Sequence, residues 1–414
     1  MKAVVFTLGC KVNECESASL IRGLEEMGYE VSDELEEADL YIVNTCAVTA
    51  EAEKKSRQMI ARVSKHAESA KIIICGCASQ NHPQDFIGKK NVAVVTGAMQ
   101  KSKILSLLQE TGNFVSNEEL VFDEMLPPKH LKTRSFIKVQ DGCNNFCSYC
   151  IIPYLRGRSR SRRLESVLQE IFSDGADEIV LVGIDLSSYN DGGRTLKDLL
   201  SALKDSQKRI RLGSLEVNVI TEELLEAAKS MKHFCPHFHL SLQSGSNATL
   251  KRMNRHYTRE QYLEKCELIY RYFPDAAITT DIIVGFSEES EQDFADSLSI
   301  VREVGFAHVH CFPYSVRAGT VAAKRFQDLP SDVKKKRLAL LSEEAERVSA
   351  DYRKKFIGKT AFVLREEFAD GYTQGYTENY MRVYIEGDIG DKLIPVTIKE
   401  LYQDGVLAVK SDKE

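Results

Sequence analysis

Three closely spaced cysteines constrain the fold of this chain more than any other feature of its sequence. Cys143, Cys147 and Cys150 form a C-x3-C-x2-C pattern just after the apolar, strand-like residues 135–140. Thiolates this close on one turn can converge on a single metal centre, and iron–sulfur clusters are held by cysteine thiolates, usually four of them. Three ligands therefore predict a cluster with one iron open to a substrate. The alternative is that these thiols only pack as small apolar groups.

Three further cysteines each follow a predicted strand in the first 110 residues. They are Cys10, Cys46 and Cys77, which come after the apolar segments 3–8, 40–44 and 71–74. The carboxyl ends of strands in an open α/β sheet form one edge, where ligands bind. We therefore expect these thiols to meet there and to hold a second metal cluster. Cys75 competes with Cys77 as a ligand, although its place nearer the strand end favours packing in the sheet. Buried structural cysteines remain the alternative.

The alternation of strand and helix patterns predicts an α/β protein with three folded units. Residues 1–112 are expected to form a doubly wound parallel sheet, and residues 113–133 an interdomain linker. Residues 134–357 carry six strand patterns separated by helices, which predicts a partial (β/α)6 barrel. Residues 358–414 change to short strands and turns, which indicates a small β-barrel. The six barrel strands are predicted at residues 136–140, 179–183, 210–214, 238–242, 278–284 and 307–312.

The ends of the predicted barrel strands supply the candidate cofactor contacts, because barrel chemistry occurs at that face. The candidates are Gly183, Asp185, Gln243, Ser244 and Asp281. His237 and His239 would share one face of a strand. For these two histidines we expect barrel-lining or hydrogen-bonding roles rather than metal binding.

The charge distribution limits where a nucleic acid could bind. The chain of 414 residues has 55 Lys and Arg against 61 Asp and Glu, so phosphate binding requires a local basic patch. An arginine-rich turn just past Cys150 is the candidate, because guanidinium groups bind phosphates, although a solvated turn or a site for a cofactor carboxylate is also possible. Its candidate RNA contacts are Arg156, Arg158, Arg160 and Arg162.

The last segment of the chain is a poor match for general phosphate binding. From residue 358 onward, seven Lys or Arg residues stand against eleven acidic residues. Tyr372, Tyr376 and Tyr380 offer stacking surfaces for bases, but aromatic residues of a small barrel more often belong to its core.

The cysteine content indicates the compartment. Residues 1–8 are too short for the apolar region of a signal peptide or a membrane span. Eleven cysteines without an export signal are typical of a reducing compartment, so we expect a cytoplasmic protein without membrane contact.

Several motifs spread along the chain match one family. They are residues 7–13 (TLGCKVN), 44–49 (NTCAVT), 76–80 (GCASQ), 141–153, 239–246 (HLSLQSGS), 280–286 (TDIIVGF) and 314–320 (YSVRAGT). Together they resemble the methylthiotransferases of the radical S-adenosylmethionine (SAM) superfamily. Residues 375–380 (GYTENY) are similar to the TRAM domain of that family. The GCKVN sequence at residues 9–13 resembles the branch that acts on N6-threonylcarbamoyladenosine in tRNA.

This resemblance implies a transferase with two [4Fe–4S] clusters and SAM as cofactors. Cys143, Cys147 and Cys150 would hold a cluster that binds and reductively cleaves SAM, and the resulting radical would take hydrogen from C2 of the adenine. Cys10, Cys46 and Cys77 would hold the cluster that presents sulfur, which a second SAM methylates. The implied partners are tRNA, a one-electron donor such as a flavodoxin or ferredoxin, and a sulfur source.

Two alternatives accompany this hypothesis. Sibling enzymes act on N6-isopentenyladenosine in tRNA or on an aspartate of a small-subunit ribosomal protein. A different class of protein would use the cysteines for zinc, as a non-catalytic, metal-binding RNA-binding protein.

Overall fold

The computed structural model describes residues 1–66, 69–118, 121–128 and 133–411. Within these residues the chain forms a parallel α/β sheet, a partial parallel barrel and a small closed β-barrel, which confirms the predicted fold class. Residues 119–120 and 129–132 of the predicted linker lie outside the described residues. None of the described helices combines the length and apolar character needed to cross a membrane.

The N-terminal unit is a six-stranded parallel sheet with the strand order β2-β1-β3-β4-β5-β6. Its strands are β1 Lys2–Thr7, β2 Glu30–Ser32, β3 Leu40–Thr45, β4 Lys71–Gly76, β5 Val92–Val95 and β6 Gly112–Asn113. The helices are α1 Lys11–Glu26, α2 Ala50–His66 and α3 Cys77–Asn81, with short 3-10 helices at Pro83–Asp85 and Lys101–Leu107. Every residue of β3 is buried, as expected for a central parallel strand covered on both faces. The short outer strands β2 and β6 were not predicted, because two or three residues carry no periodicity.

The central unit contains two parallel sheets, β7-β10-β13 and β14-β15-β16-β17, which meet at Gly213 between β13 and β14. Its strands are β7 Arg134–Lys138, β8 Gln140–Asp141, β9 Arg160–Ser161, β10 Glu178–Val182, β11 Asn190–Asp191, β12 Arg194–Thr195, β13 Arg209–Leu212, β14 Ser214–Leu215, β15 His237–Leu240, β16 Ala277–Val284 and β17 His308–Pro313. The helices are α4 Ile152–Arg156, α5 Leu164–Ser173, α6 Leu196–Ala202, α7 Glu222–Ser230, α8 Asn247–Arg252, α9 Arg259–Tyr272, α10 Glu291–Val304, α11 Val321–Arg325 and α12 Ser331–Lys354, with 3-10 helices at Leu186–Ser188 and Val217–Val219. All six predicted barrel strands are present, each shifted by no more than a few residues.

The C-terminal unit is a closed barrel with the strand order β18-β19-β20-β22-β21, which confirms the predicted small β-barrel. Its strands are β18 Thr360–Ala369, β19 Tyr372–Tyr376, β20 Arg382–Glu386, β21 Leu393–Tyr402 and β22 Gly405–Lys410. Tyr352 of α12 and Phe356, which follows α12, pack into the core of this barrel. The Asn379 side-chain amide also donates to the Tyr352 hydroxyl at 3.0 Å. The small barrel is therefore joined to the central unit by apolar packing as well as by the chain.

A buried ionic network joins the N-terminal sheet to the central barrel. Glu16 of α1 accepts hydrogen bonds from Lys138 at 2.7 Å and from both terminal nitrogens of Arg156 at 3.0 and 3.1 Å, and it also pairs with Lys101. Arg156 and Lys138 also pair with Asp141 at 3.1 and 2.7 Å. Arg156 is fully buried, so each charge in this network depends on the others for solvation.

The network decides the ionisation of Glu16. Burial alone would raise its pKa, but Arg156, Lys101 and Lys138 together hold the pKa of Glu16 well below its ordinary value. Glu16 therefore stays ionised, and the cations on both sides of the domain junction stay neutralised.

Replacement of Glu16 tests how strongly this network holds the two units together. We expect Glu16→Gln to lower the free energy of unfolding by about 3–5 kcal/mol, because it leaves three buried cations without their shared partner. The measurement is the urea midpoint of anaerobically purified protein. Glu14→Gln is the matched control, since Glu14 lies on the same helix but is exposed. An equal effect of the two substitutions would contradict the role of Glu16.

Candidate active site

The three N-terminal cysteines lie together at the carboxyl edge of the parallel sheet. Cys10 precedes α1, Cys46 follows β3, and Cys77 is the first residue of α3 after β4. All three line one cavity of about 940 Å³. Burial, with contributions from Cys77 and Cys10, raises the pKa of Cys46 to about 11. Because the Cys46 thiol is protonated at neutral pH without a metal, metal binding would release its proton.

Cys75 lies elsewhere, although only one residue separates it from Cys77. Its side chain is fully buried in the apolar cluster that contains Val5, Ile42 and Ile73. Of the two cysteines, only Cys77 lines the cavity. The strand ends at Gly76, whose φ of +101° turns the chain into α3. Cys77 therefore leaves the face that Cys75 shares with Ile73, which favours Cys77 as the ligand.

Gly9 allows the N-terminal cysteines to approach one another. Its φ of +103° lies in the region that favours glycine, and a Cβ atom at this position would lie 2.6 Å from the Cys46 sulfur. Asn13 holds the same loop by donating to the Leu8 carbonyl at 2.7 Å and to the Thr45 carbonyl at 3.1 Å. The backbone around Cys10 and Cys46 is thus fixed before any metal binds.

The second set of cysteines lies in the loop between β8 and α4. The backbone N–H of Asn145 donates to the Cys143 sulfur at 3.4 Å, and Arg255 donates to the Cys147 sulfur at 3.3 Å. Burial raises the pKa of Cys143 and of Cys150 to about 12. Hydrogen bonds to sulfur are typical of cluster ligands, whose potential they tune.

Arg255 was not singled out by the sequence. It reaches Cys147 from the loop after α8, more than 100 residues away along the chain. It also pairs with Glu216 and donates to the Ser241 carbonyl at 3.0 Å. No local pattern reveals such a contact, because only the fold brings Arg255 to the cysteine loop.

The two sets of cysteines face each other across the junction of α3 and α4. These helices are in contact, and Ile151 and Leu155 share an apolar cluster with Cys77 and Ala78. The Cys77 thiol contributes to the raised pKa of Cys150, so the two sets are near enough to interact electrostatically.

The barrel strands form a second wall of the cavity. His237 and His239 line it and both hydrogen-bond to the Thr279 hydroxyl, at 3.1 and 3.0 Å, which confirms their predicted lining and hydrogen-bonding roles. His239 also lies 3.2 Å from the Asp281 carboxylate. Possible ligand atoms of His239, Asp281 and His310 all lie within 4.8 Å of one another. Burial, assisted by His308, lowers the pKa of His310 to about 4.

The C-terminal barrel completes the cavity. Tyr376 and Tyr380 line it, with their rings stacked at 4.6 Å between centroids. Tyr372 instead packs against Tyr384 and Tyr402. The expectation that aromatic residues of this barrel serve as core residues is therefore wrong for Tyr376 and Tyr380, because their rings face the shared cavity.

The five predicted cofactor contacts lie in different surroundings. Gly183 and Asp281 line the cavity, and the Asp185 carboxylate lies 3.8 Å from the Cys143 sulfur. Gln243 has a φ of +71°, and its backbone N–H donates to the Asp281 carbonyl at 2.8 Å. The Ser244 side chain is fully buried, 3.4 Å from the Ser297 hydroxyl, so the predicted cofactor contact is wrong for this side chain.

The structure corrects part of the prediction for the arginine-rich turn. Arg156 is fully buried in the network with Glu16, and Arg162 is buried with Glu124 and Glu170 as partners, so neither can bind RNA from the surface. Arg160 pairs with Asp141 at 3.1 Å and is mostly enclosed. Arg158 is exposed, with its guanidinium 4.5 Å from the centre of the Phe146 ring. RNA contact stays a prediction for Arg158.

Cations are concentrated in the cavity wall beside Cys10. Arg134 and Arg211 line the cavity and share Glu178, which accepts from them at 2.5 and 2.8 Å. Arg209 approaches the same carboxylate at 3.1 Å. Although burial opposes ionisation, these arginines lower the pKa of Glu178 to about 2. The Glu178 carboxylate thus forms ion pairs with three guanidinium groups.

Comparisons with known proteins agree with this architecture. A family model described as Uncharacterized protein family UPF0004 matches residues 2–97, and the Radical SAM superfamily model matches residues 137–301. The radical SAM methyltransferase TsrM from Kitasatospora setae shares the fold at 12% identity, with a TM-score of 0.56 over 90% of this chain and 78% of that chain.

Curated relatives cover nearly all of the chain. The threonylcarbamoyladenosine tRNA methylthiotransferase MtaB of Thermotoga maritima is 38% identical over 100% of this chain and 98% of the relative. MtaB of Chlamydia pneumoniae is 40% identical over 87% and 86%. The tRNA-2-methylthio-N(6)-dimethylallyladenosine synthase of Alkaliphilus oremlandii is 38% identical over 88% and 82%.

The lowered pKa of Glu178 gives a pH-dependent prediction. A carboxylate whose pKa falls from 4.5 to about 2 on folding stabilises the protein above its ordinary pKa, and this contribution is lost as pH falls through the folded value. We expect Glu178→Gln to lower the free energy of unfolding by about 3 kcal/mol at pH 7. The difference from wild type should shrink between about pH 5 and pH 3.

Urea unfolding of both proteins at several pH values measures this difference. Glu165→Gln is the control, because Glu165 forms an exposed pair with Arg194 and should leave the midpoint unchanged. A difference between wild type and Glu178→Gln that stays constant with pH would contradict the prediction.

Proposed function

The chain belongs to the radical SAM methylthiotransferase family, and from this membership we propose that it methylthiolates C2 of N6-threonylcarbamoyladenosine next to the anticodon of tRNA. The relatives from Thermotoga maritima and Chlamydia pneumoniae carry that activity in their names. The observation that carries the proposal is the pair of facing cysteine sets, one of which lines a cavity large enough for a modified nucleoside.

As a radical SAM enzyme, the protein uses SAM and a [4Fe–4S] cluster. We propose a total of two clusters, each held by one set of three cysteines. The donor sets fit such groups, because each provides three cysteine sulfurs, and Arg255 donates a hydrogen bond to the Cys147 sulfur. Arg156 favours the thiolate form of Cys77 through its charge. When bound, the two clusters and SAM supply the radical chemistry, the sulfur and the methyl group.

The protein's own part is to position the reactants and to exclude water. Cys143, Cys147 and Cys150 would hold a cluster with one iron open for SAM, and the Asp185 carboxylate lies 3.8 Å from the Cys143 sulfur. Cys10, Cys46 and Cys77 would present their cluster to the cavity. Walls from all three folded units surround the reacting base, which shields a radical reaction from solvent. A base in RNA must leave its stack to reach this site.

The RNA contacts and the redox partners belong to the same proposal. Arg158 lies on the surface two residues beyond buried Arg156 and is the candidate phosphate contact of the arginine-rich turn. A one-electron donor such as a flavodoxin or ferredoxin, and a sulfur source, would supply what the cysteine sets do not contain.

The main alternative is a different substrate within the family. The relative from Alkaliphilus oremlandii is named for dimethylallyladenosine. The other alternative substrate, implied by the family resemblance, is an aspartate of a small-subunit ribosomal protein. Mass spectrometry of tRNA nucleosides and ribosomal proteins from a strain lacking the gene separates these substrates. Loss of the 2-methylthio group only from N6-threonylcarbamoyladenosine would support the proposal.

Substitution of one cysteine from each set tests the division of roles. We expect Cys147→Ala to abolish SAM cleavage, because the cleaving cluster loses a ligand. Cys46→Ala should retain SAM cleavage but lose thiolation of the RNA. The measurements are 5′-deoxyadenosine formation and mass spectrometry of the RNA product. Thiolation by either variant would refute its assigned role.

Cys75 and Cys77 offer a matched pair for the iron content. Cys77→Ala should lower bound iron by about the four atoms of one cluster, because a lining thiolate is lost. Cys75→Ala should keep the wild-type iron content, because this thiol packs in the apolar core. Iron analysis after anaerobic reconstitution decides the matter, and iron loss in Cys75→Ala alone would reverse the assignment.

A further inference from the structure

Lys11 is a cation in the wall of the cavity, and it has no ion-pair partner in the part of the chain that the structure describes. Its side chain lines the cavity directly after Cys10, with its ammonium nitrogen 5.5 Å from the centre of the Phe136 ring. Among residues 1–66, 69–118, 121–128 and 133–411, no carboxylate lies within ion-pairing distance of this nitrogen. The Lys11 side chain is exposed to the space of the cavity, so its ammonium group is accessible to an anion that enters there.

The neighbouring cations strengthen this preference. Arg134 and Arg211 lie near enough to oppose the charge of Lys11 more strongly than Glu14, one turn along α1, supports it. The Arg134 side chain is nine-tenths buried, and its Nη2 atom has no hydrogen-bond partner among the described residues. Glu178 and Glu366 are the carboxylates paired with Arg134, and Glu178 is shared with two other arginines. The wall therefore carries excess positive charge.

Aromatic rings hold these arginines in place. The Arg211 guanidinium lies 4.5 Å from the centre of the Tyr380 ring, and the Arg134 guanidinium lies 5.2 Å from the same ring. The Arg211 nitrogens are also occupied by Glu178 and by the Glu378 carbonyl. Arg134 and Arg211 thus contribute positive potential from fixed positions, while the exposed ammonium group of Lys11 is available for direct contact.

We infer that Lys11 binds the carboxylate of the N6-threonylcarbamoyl group and thereby selects this base over adenosines with an uncharged N6 substituent. This inference rests on the proposed function, because it names a contact to the substrate proposed above. C2 and C6 of adenine both flank N1, so a base that presents C2 to the Cys10, Cys46 and Cys77 edge presents its N6 substituent nearby. Lys11 follows Cys10 directly and lies at that edge.

An RNA phosphate is the competing anion. Lys11 lies inside the cavity with Arg134 and Arg211, where the extruded base and its substituent enter, whereas the phosphates of a flipped nucleotide remain with the strand. The position therefore favours the carboxylate, and the experiment separates the two anions.

The test uses reconstituted holoenzyme and three anticodon stem-loop RNAs of one sequence. The first carries N6-threonylcarbamoyladenosine, the second carries its methyl amide, which lacks only the charge, and the third carries unmodified adenosine. Fluorescence anisotropy gives each Kd, and product analysis gives kcat/KM for methylthiolation of the first RNA. We expect Lys11→Met to weaken binding of the carboxylate RNA by about 10- to 100-fold, as for loss of a charge-assisted hydrogen bond.

The remaining RNAs and variants decide between the explanations. Binding of the amide RNA should not change in Lys11→Met, and Lys11→Arg should keep the preference for the carboxylate RNA. Lys103→Met is the control, because Lys103 is exposed and lies outside the cavity. If the Lys11 and Lys103 variants have the same iron content and melting temperature as wild type, they are correctly folded.

Two results would overturn the inference. If wild-type protein binds the carboxylate and amide RNAs with equal affinity, it has no site for the carboxylate. If Lys11→Met weakens the binding of all three RNAs equally, Lys11 contacts an RNA phosphate instead. Wild type that prefers the carboxylate RNA but never methylthiolates it would refute the proposed function, while the binding measurements would still support the role of Lys11.

Discussion

The ion network around Glu16 fixes the geometry on which the rest of the structure depends. Glu16 comes from the first helix of the N-terminal sheet, whereas Arg156 and Lys138 come from the barrel. These charges are buried, and bringing them out of water is favourable only when they are paired closely. The network therefore sets the position of one domain on the other more strictly than apolar packing alone, which tolerates sliding.

That position determines which cysteines meet. Arg156 ends the helix that begins two residues after Cys150, and its guanidinium lies near enough to Cys77 to favour the thiolate form of that side chain. One side chain thus links the two cysteine sets to the ionic junction between their domains. The cavity beside them is completed by Tyr376 and Tyr380 of the C-terminal barrel. The C-terminal barrel, whose acidic composition predicts weak phosphate binding, closes the space in which the base would react.

Much of the fold follows from local patterns. The apolar strands at regular spacing, the helices between them and the change of pattern near residue 358 were enough to predict three units and all six main barrel strands. The arginine-rich turn was misjudged for a physical reason. A run of arginines looks exposed in sequence, but buried acids from distant segments pair with Arg156 and Arg162. Arg255 was missed for the same reason, because its contact with Cys147 is made only by the folded chain.

The sequence by itself determined the fold class, the family and the six cysteines proposed as metal ligands, because these depend on motifs, spacing and periodicity along the chain. Tertiary structure decided that Cys77 rather than Cys75 faces the cavity and that Arg156 is buried. It also decided that Lys11 has no ion-pair partner among the described residues. Burial and electrostatic pairing depend on which distant segments pack together, and no local pattern encodes that information.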